Sequence, residues 1–297
     1  MTARFVFVTD SHHYPDAPQD YGAPKMLTQS AAVLAAMAPA INALEPDFVV
    51  HGGDQLCGGG SFDLPRPTYL RSLEEAAAAC RALKAPTYYI PGNHDCDAQS
   101  GSFDDFFHHF PAPKTLSAVD VAPRLRLILA NPFHGDSLTQ SAGVWTDQLD
   151  AELRREGARA VADNTALLFF IHSWILPDQE GCHGLVDGAE RLVDTIDQTA
   201  AIAAVFTGHR HKNRLLYRRD YLVADTACLI GYPMGFRLVE LDGDGWARFS
   251  FHQLDLPELI EASYQRSDQS TNQNWAGELH DRDNQVLLPR LQRLWAK

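Results

Sequence analysis

The sequence lacks features that would place the protein outside the cell or in a membrane. Its five cysteines are odd in number and widely spaced, and they contain no C-x-x-C pair of the kind found in zinc ribbons and redox motifs. No apolar run approaches the length that spans a bilayer, and the first residues enter a strand pattern without a basic segment and an apolar core. We therefore expect a cytoplasmic protein in a reducing compartment, with no membrane partner.

Positive charge is also scarce, because 25 Lys and Arg residues stand against 38 Asp and Glu residues and give a formal net charge of -13. Duplex nucleic acid binds mainly through Lys and Arg side chains that neutralise phosphates. Duplex nucleic acid is therefore not expected as a partner. The chain has no low-complexity tract and no internal repeat, and its composition of 45% hydrophobic and 21% charged residues is that of an ordered globular protein.

The first half of the chain alternates apolar strand patterns with helix patterns. Helices are predicted at residues 26–44, where Pro39 should kink or divide the helix, and at 69–83. This alternation predicts an α/β domain with parallel strands, whose loops share one edge of the sheet. Further elements are predicted in the order strand 125–129, helix 146–156, strand 166–171 and helix 189–198.

After Val205 the pattern changes to successive short apolar segments. Strands that should pair antiparallel are predicted at residues 215–217, 221–223, 235–241 and 246–253, with a hairpin turn at 242–245. These strands predict a second sheet packed on the first. The main domain is expected to span residues 1–255.

Residues 256–297 are predicted to form a tail outside this domain. A polar stretch at 263–274 is interpreted as a linker, and residues 286–295 as a terminal helix. That helix either covers the edge of the body or contacts a second copy of the chain in a homo-oligomer.

Polar residues with metal-binding side chains follow five of the predicted strands. The motifs are Asp10-Ser11-His12, Gly53-Asp54, Gly92-Asn93-His94-Asp95, a single His172, and Gly208-His209-Arg210-His211. Carboxylate oxygens and imidazole nitrogens suit hard or borderline divalent cations. The loops therefore predict one metal site, with these candidate ligands: Asp10, His12, Asp54, Asn93, His172, His209 and His211.

These blocks resemble the pattern of the calcineurin-like metallophosphoesterase superfamily, in which D-x-H, G-D, G-N-H-[DE], H and G-H-x-H follow one another. All of them occur here in order between Asp10 and His211. The resemblance covers most of the chain except the tail. It implies an α/β fold of four layers, αββα, with two mixed sheets flanked by helices, and it implies two divalent or trivalent metal ions, with Mn, Fe or Zn expected.

The resemblance also implies a role for each matching residue. Two sets of metal ligands would be bridged by Asp54, namely Asp10, His12 and His211 for one ion and Asn93, His172 and His209 for the other. A hydroxide bridging the two ions would attack the phosphorus atom in line with the leaving group.

His94 is assigned to neither metal by this pattern and is expected to protonate the leaving-group oxygen as a general acid. Asp95 is expected to accept an imidazole N–H from His94, which would favour the protonated ring and raise its pKa. These two residues are the predicted catalytic pair.

The implied activity is hydrolysis of small soluble phosphoesters, and the motifs are most similar to those of bacterial phosphodiesterases. Phosphomonoesterases and nucleases share them, and a non-catalytic metal-binding scaffold is a further alternative. The Asp-Arg-Gly continuation of protein Ser/Thr phosphatases is missing after Gly53-Asp54. Substrate selection is assigned to the loops at 58–69, 131–142 and 173–187, with contacts expected from Arg66, Tyr69, His134 and Trp174.

Overall fold

The computed structural model describes residues 2–22, 24–60, 62, 64–134, 138, 141–177 and 184–296. The strands are β1 (Ala3–Val8), β2 (Phe48–His51), β3 (Thr87–Tyr89), β4 (Leu116–Ala122), β5 (Leu125–Ala130), β6 (Ala166–Ile171), β7 (Ile202–Thr207), β8 (Arg214–Arg218), β9 (Tyr221–Asp225), β10 (Gly235–Leu241), β11 (Trp246–Gln253) and β12 (Asn284–Leu287). The helices are α1 (Ser30–Asn42), α2 (Arg66–Arg81), α3 (Asp104–His109), α4 (Asp147–Ala162), α5 (Ala189–Gln198), α6 (Pro257–Gln265), α7 (Gln269–Ala276), α8 (Leu279–Arg282) and α9 (Pro289–Trp295).

The strands form two mixed six-stranded sheets, with the orders β12-β11-β10-β1-β2-β3 and β4-β5-β6-β7-β9-β8. In the first sheet β1, β2 and β3 are parallel, while β10 pairs antiparallel with β1. In the second sheet β5, β6, β7 and β9 are parallel. Helices flank the two sheets, so the predicted α/β sandwich is confirmed.

The inner faces of the sheets meet in an aromatic core. The rings of Phe170 on β6 and Phe206 on β7 stack with centroids 4.8 Å apart, and Phe5 on β1 meets Phe206 edge-on at 5.5 Å. Because side chains alternate between the faces of a strand, the neighbouring Val6 points the other way and belongs to a second hydrophobic cluster that includes Val33 and Met37 of α1. Burial on both faces explains why these strands are apolar at nearly every position.

The strands after Val205 do not form a sheet of their own, which corrects the sequence prediction. β9 pairs parallel with β7 and extends the second sheet, whereas β10 and β11 extend the first sheet next to β1. Apolar patterns show which segments are strands, but the partner of each strand depends on contacts distant in the sequence.

Pro39 lies within α1, which runs from Ser30 to Asn42 without a break, so the division of the helix that was one of the two expected effects of Pro39 does not occur. Proline removes one backbone hydrogen bond. Met37 and Ile41 lie on either side of it and are both fully buried, so the packing of this face continues past the proline. None of the helices described above combines the length and the apolar character needed to cross a membrane.

The segment after residue 255 packs along the body of the protein. β12 pairs with β11, and Arg290 at the start of α9 donates hydrogen bonds to the carbonyls of Ile196 and Thr199 at the end of α5. The predicted linker at 263–274 is wrong, because most of it belongs to α6 and α7. Two of its polar residues are buried and hydrogen-bonded: Ser263 donates to the carbonyl of Pro24, and Asn272 donates to the carbonyl of Tyr264.

Candidate metal centre

The loops that follow β1, β2, β3, β6 and β7 meet at one edge of the molecule. The backbone N–H groups of Asp10 and His12 donate to the carbonyls of Gly53 and Asp54, each at 3.0 Å. On the other side, Gly208 N–H donates to the carbonyl of His172, also at 3.0 Å. Parallel strands therefore deliver all five motifs to the same place, and backbone hydrogen bonds between the loops hold them together.

The loops adopt unusual backbone conformations at this edge. Five of the seven candidate ligands have positive φ angles, namely Asp10 (57°), His12 (41°), Asp54 (52°), His209 (65°) and His211 (59°). Non-glycine residues rarely adopt this backbone region because it is strained, and residues that do adopt it are often found at functional sites. Glycine is required at neighbouring positions for space, since a Cβ on Gly92 would overlap the Asp54 carboxylate.

The first cluster of ligand atoms consists of Asp10, His12 and His211. His211 Nε2 lies 3.0 Å from Asp10 Oδ1, and His12 Nε2 lies 3.3 Å from His211 Nε2. All three side chains are buried, and their ligand atoms lie within 4.8 Å of one another. This is the set that the motif pattern assigned to one ion.

The second cluster consists of Asp54, His172 and His209, whose ligand atoms also lie within 4.8 Å of one another. His172 Nε2 is 3.2 Å from Asp54 Oδ2, and His12 Nε2 is 3.6 Å from the same oxygen. Asp54 therefore lies between the two clusters. Asn93 is also buried, with 4% of its surface exposed.

Two of the buried candidate ligand atoms have no hydrogen-bond partner, which tests whether the residues fit a metal. These atoms are Asn93 Oδ1 and His172 Nε2, the second of which faces Asp54 Oδ2 at 3.2 Å without forming a hydrogen bond to it. Buried polar atoms are normally paired, so unpaired ones need an explanation. His172 Nδ1 donates to the carbonyl of Gly52 at 2.7 Å, which leaves Nε2 as the nitrogen that can accept a cation. The donor set of oxygen and imidazole nitrogen fits divalent ions of the first transition row.

The electrostatics point the same way. Burial lowers the pKa of His172, but Asp54 and Asp10 outweigh it and raise the pKa to about 9. Burial raises the pKa of the Asp54 carboxyl, while His172 and His94 hold it well below its usual range. Against the effect of burial, the pKa of the Asp10 carboxyl is likewise lowered by His211 and His172, so both buried carboxylates stay ionised because imidazole groups lie close to them. A bound cation would supply that charge in place of the proton on His172.

His94 lies beside the clusters, and its ligand atom is within 4.8 Å of those of His12 and Asp54. Its Nδ1 donates to the carbonyl of Gly58 at 2.7 Å. A carbonyl oxygen can only accept, so Nδ1 carries a hydrogen and Nε2 is the nitrogen available for other partners. Distance alone does not separate His94 from the candidate ligands.

The expected pairing of Asp95 with the His94 ring is not found. The Asp95 carboxylate instead accepts the backbone N–H groups of Leu56 at 3.0 Å and Gly92 at 2.8 Å. Burial lowers the pKa of His94, and Asp54 rather than Asp95 opposes this effect. The Asp95 carboxylate therefore ties the loop that carries His94 to the loop after β2.

A cavity of about 380 Å³ opens beside the ligand candidates. Its wall includes Asn93, His94, His209, and three residues that the sequence analysis did not select, Lys25, Lys212 and Trp275. A single Lys or Trp carries no spacing signal, which is why these residues were missed.

None of the four expected substrate contacts lines this cavity among the residues that the structure describes. Arg66 pairs with Asp97 at 2.7 Å, the Tyr69 hydroxyl donates to the carbonyl of Asp95, and Trp174 is fully buried beneath Arg210. His134 is partly buried outside the wall. Parts of the three expected loops, including residues 135–137 and 178–183, lie outside the described residues.

Comparisons with known proteins give a family and a fold. The family model described as calcineurin-like phosphoesterase matches residues 3–213. Among solved structures, the chain is similar to a dimetal phosphatase from Danio rerio, with 14% identity and a TM-score of 0.68 over 84% of this chain and 95% of that one. No curated protein matches the sequence significantly.

A second solved structure with the same fold is a putative 5'-nucleotidase from Staphylococcus aureus. It is 17% identical, with a TM-score of 0.55, and the match covers 100% of this chain and 58% of that one. The matched residues 3–213 of the family model contain every candidate ligand but not Trp275.

Proposed function

Because the chain belongs to the calcineurin-like phosphoesterase family, we propose that it is a phosphoester hydrolase that depends on two metal ions. The observation that supports this most directly is that two clusters of ligand residues, all buried except the partly buried His209, lie side by side, with Asp54 close to His12 of the first and His172 of the second. A buried group of carboxylates and imidazoles with unpaired ligand atoms has no purpose in stabilising the fold by itself.

The proposed ligands of one ion are Asp10, His12 and His211. Those of the other are Asn93, His172 and His209, and Asp54 would contact both ions. When bound, two such ions lower the pKa of a water molecule and stabilise the charged oxygens of a phosphoryl group. We propose Mn, Fe or Zn because the donors are a mixture of oxygen and nitrogen atoms.

His94 is the proposed general acid. It lines the cavity, and the Gly58 carbonyl fixes which of its ring nitrogens faces away from the backbone. In the imidazolium form Nε2 could pass a proton to the leaving-group oxygen as the P–O bond breaks. Asp95 would support this step indirectly, because it holds the backbone of the loop that carries His94.

The preferred substrates are proposed to be small phosphodiesters. Two features support a small ester with organic groups: the cavity of about 380 Å³ and the indole of Trp275 in its wall. The net charge of -13 opposes binding of long nucleic acids. A phosphomonoesterase is the second candidate, because Lys25 in the same wall supplies a positive charge that favours a doubly charged monoester.

Hydrolysis of two chromogenic esters tests the proposal. Metal-free protein would be supplied with Mn, Fe or Zn and assayed with bis(p-nitrophenyl) phosphate and p-nitrophenyl phosphate, alongside Asp54→Asn and the exposed control Asp244→Asn. We expect metal-dependent turnover that is faster for the diester, is retained in Asp244→Asn and is lost in Asp54→Asn. Faster turnover of the monoester would favour the second candidate, and no turnover of any phosphoester by metal-loaded protein would contradict both.

A further inference from the structure

Trp275 brings an aromatic side chain from the C-terminal segment into the wall of the cavity. It lies on α7, beyond the residues that the family model matches. Its ring is 4.9 Å from the ring of His211, with the two planes at 77°. The same wall contains Asp54, Asn93 and His94, so the indole lies beside the proposed metal ligands.

The position of Trp275 is fixed by the chain that follows His211. Asn213 donates its backbone N–H to the carbonyl of Trp275 at 3.0 Å and its side-chain amide to the carbonyl of Ala276 at 3.2 Å. Asn213 is fully buried, and its own Oδ1 accepts Arg237 at 3.0 Å. The backbone that carries the indole is therefore fixed to the chain after His211, and the ring itself packs edge-on against His211.

The indole is only partly buried. Most of the other residues that line the cavity are polar or charged, so the indole is an apolar surface in a polar cavity. The part of the indole surface that faces the cavity is available to a ligand that binds in the cavity. Flat aromatic groups stack on the face of an indole ring. A flat aromatic group therefore matches this surface better than an aliphatic chain does.

Lys25 adds a positive charge to the same cavity. Its ammonium lies 5.7 Å from the centre of the Phe62 ring, and Lys25 lines the cavity together with Trp275. A cavity lined by both an ammonium group and an indole suits a ligand that carries both negative charge and an aromatic ring.

We propose that Trp275 is a specificity-determining residue that binds the planar aromatic group of the substrate, so that the preferred substrates are aromatic phosphoesters. The proposal rests on the proposed function, because the phosphoryl group of such an ester would lie at the metal centre. The aromatic group and Trp275 would contact each other without taking part in bond cleavage.

Binding of two phosphonates tests this contact without turnover. Phenylphosphonate and n-butylphosphonate share the anionic group, differ in the ring, and have no ester bond to hydrolyse. Calorimetric titration of the metal-loaded full-length protein should give a Kd about tenfold lower for phenylphosphonate. In Trp275→Leu this preference should shrink to about twofold or less while the Kd of n-butylphosphonate stays unchanged, and Trp275→Phe should retain most of it.

Trp246→Leu is the matched control, since Trp246 is exposed on β11 and lines a different surface groove. It should bind both phosphonates like the wild type. An unchanged phenyl preference in Trp275→Leu would overturn the proposal, as would equal weakening of both ligands together with metal loss, which would show that Trp275 only supports His211. If neither phosphonate bound to the metal-loaded protein, that result would also overturn the proposal.

The test separates this proposal from the hydrolase proposal. If Trp275 confers the phenyl preference but no ester is hydrolysed, the hydrolase proposal fails and the contact stands. If aromatic and aliphatic esters are hydrolysed equally well and Trp275→Leu changes neither KM, the contact fails and the hydrolase proposal stands.

Discussion

The backbone N–H of His94 donates a hydrogen bond of 2.8 Å to Asp54 Oδ1. The other carboxylate oxygen, Oδ2, lies 3.2 Å from His172 Nε2. One oxygen of Asp54 is thus held by the loop after β3, while the other faces the ligand clusters. The proposed general acid and the central carboxylate are therefore positioned by one contact.

The first prediction concerns His94. We expect His94→Ala to lower kcat by roughly 10²- to 10⁴-fold, the usual contribution of a general acid, with little change in bound metal. Steady-state kinetics and metal analysis on the same samples measure both quantities. The exposed His108 provides a matched control, His108→Ala, which should behave like the wild type. If His94→Ala lost its metals in parallel with its activity, His94 would be a ligand and not an acid.

The second prediction concerns the pH dependence of stability. Asp225 is fully buried, and burial raises the pKa of its carboxyl to about 7, although Arg210 and the Thr207 hydroxyl oppose this. The folded protein therefore binds a proton here that the unfolded chain releases near 3.8. The stabilising contribution is complete below the unfolded pKa and is lost as the pH rises through the folded pKa.

Asp225→Asn removes this ionisation and can still accept the Thr207 hydroxyl, which donates to Asp225 Oδ1 at 2.8 Å. Urea denaturation of metal-free protein at about pH 5 and about pH 8 measures the effect. The free energy of unfolding should fall less across this interval in Asp225→Asn than in the wild type, while Asp244→Asn should follow the wild type. Equal pH dependence of the wild type and Asp225→Asn would refute the assignment.

The third prediction concerns a buried cation. Arg237 is fully buried and donates to the carbonyls of Asp281 and Asp225, to Asn213 Oδ1 and to Thr226 Oγ1. Arg237→Met should lower the free energy of unfolding by about 3 kcal/mol, because these buried acceptors lose their donor. Arg248→Met, on the exposed face of β11, is the matched control and should change little. Equal unfolding midpoints for both variants in urea would contradict this role.

The sequence predicted the fold class and the convergence of the motifs. A polar motif directly after an apolar strand marks the strand's carboxyl end, and parallel strands bring such ends to one edge. This is why Asp10 and Asp54, separated by 44 positions in the chain, could be placed together, and the backbone contact between His12 and Asp54 shows that closeness. The role of each residue as a metal ligand stays a prediction.

The C-terminal segment could not be predicted in the same way. Hydrogen bonds such as that of Ser263 anchor α6, and apolar periodicity does not reveal them. The terminal helix is the exception, because α9 (Pro289–Trp295) buries Leu291 and Leu294 and lies within the predicted range 286–295. Some local signals were present: Asp268 caps α7 by accepting the N–H of Thr271, and Pro257 lies in the first turn of α6. No signal in the sequence connects Trp275 with His211, because that contact depends on how α7 docks.

The orientation of Asp95 was also beyond the sequence. Its place next to His94 suggested a contact between their side chains. The turn instead directs the carboxylate toward the N–H groups of Leu56 and Gly92. Neighbouring residues in a tight turn often point in different directions, so adjacency in the chain is weak evidence of a side-chain contact.

The central claim is that the buried residues around Asp54 hold two metal ions, and the most direct test is a count of bound ions. Metal-free wild-type protein, Asp54→Asn and Asp244→Asn would be titrated with Mn or Zn by calorimetry, with unfolding temperatures recorded for each. The account predicts two ions per chain in the wild type and Asp244→Asn, an unfolding temperature that rises on binding, and at most one weakly bound ion in Asp54→Asn. Folded wild-type protein that binds no ion, or Asp54→Asn that binds two as tightly as the wild type, would contradict it.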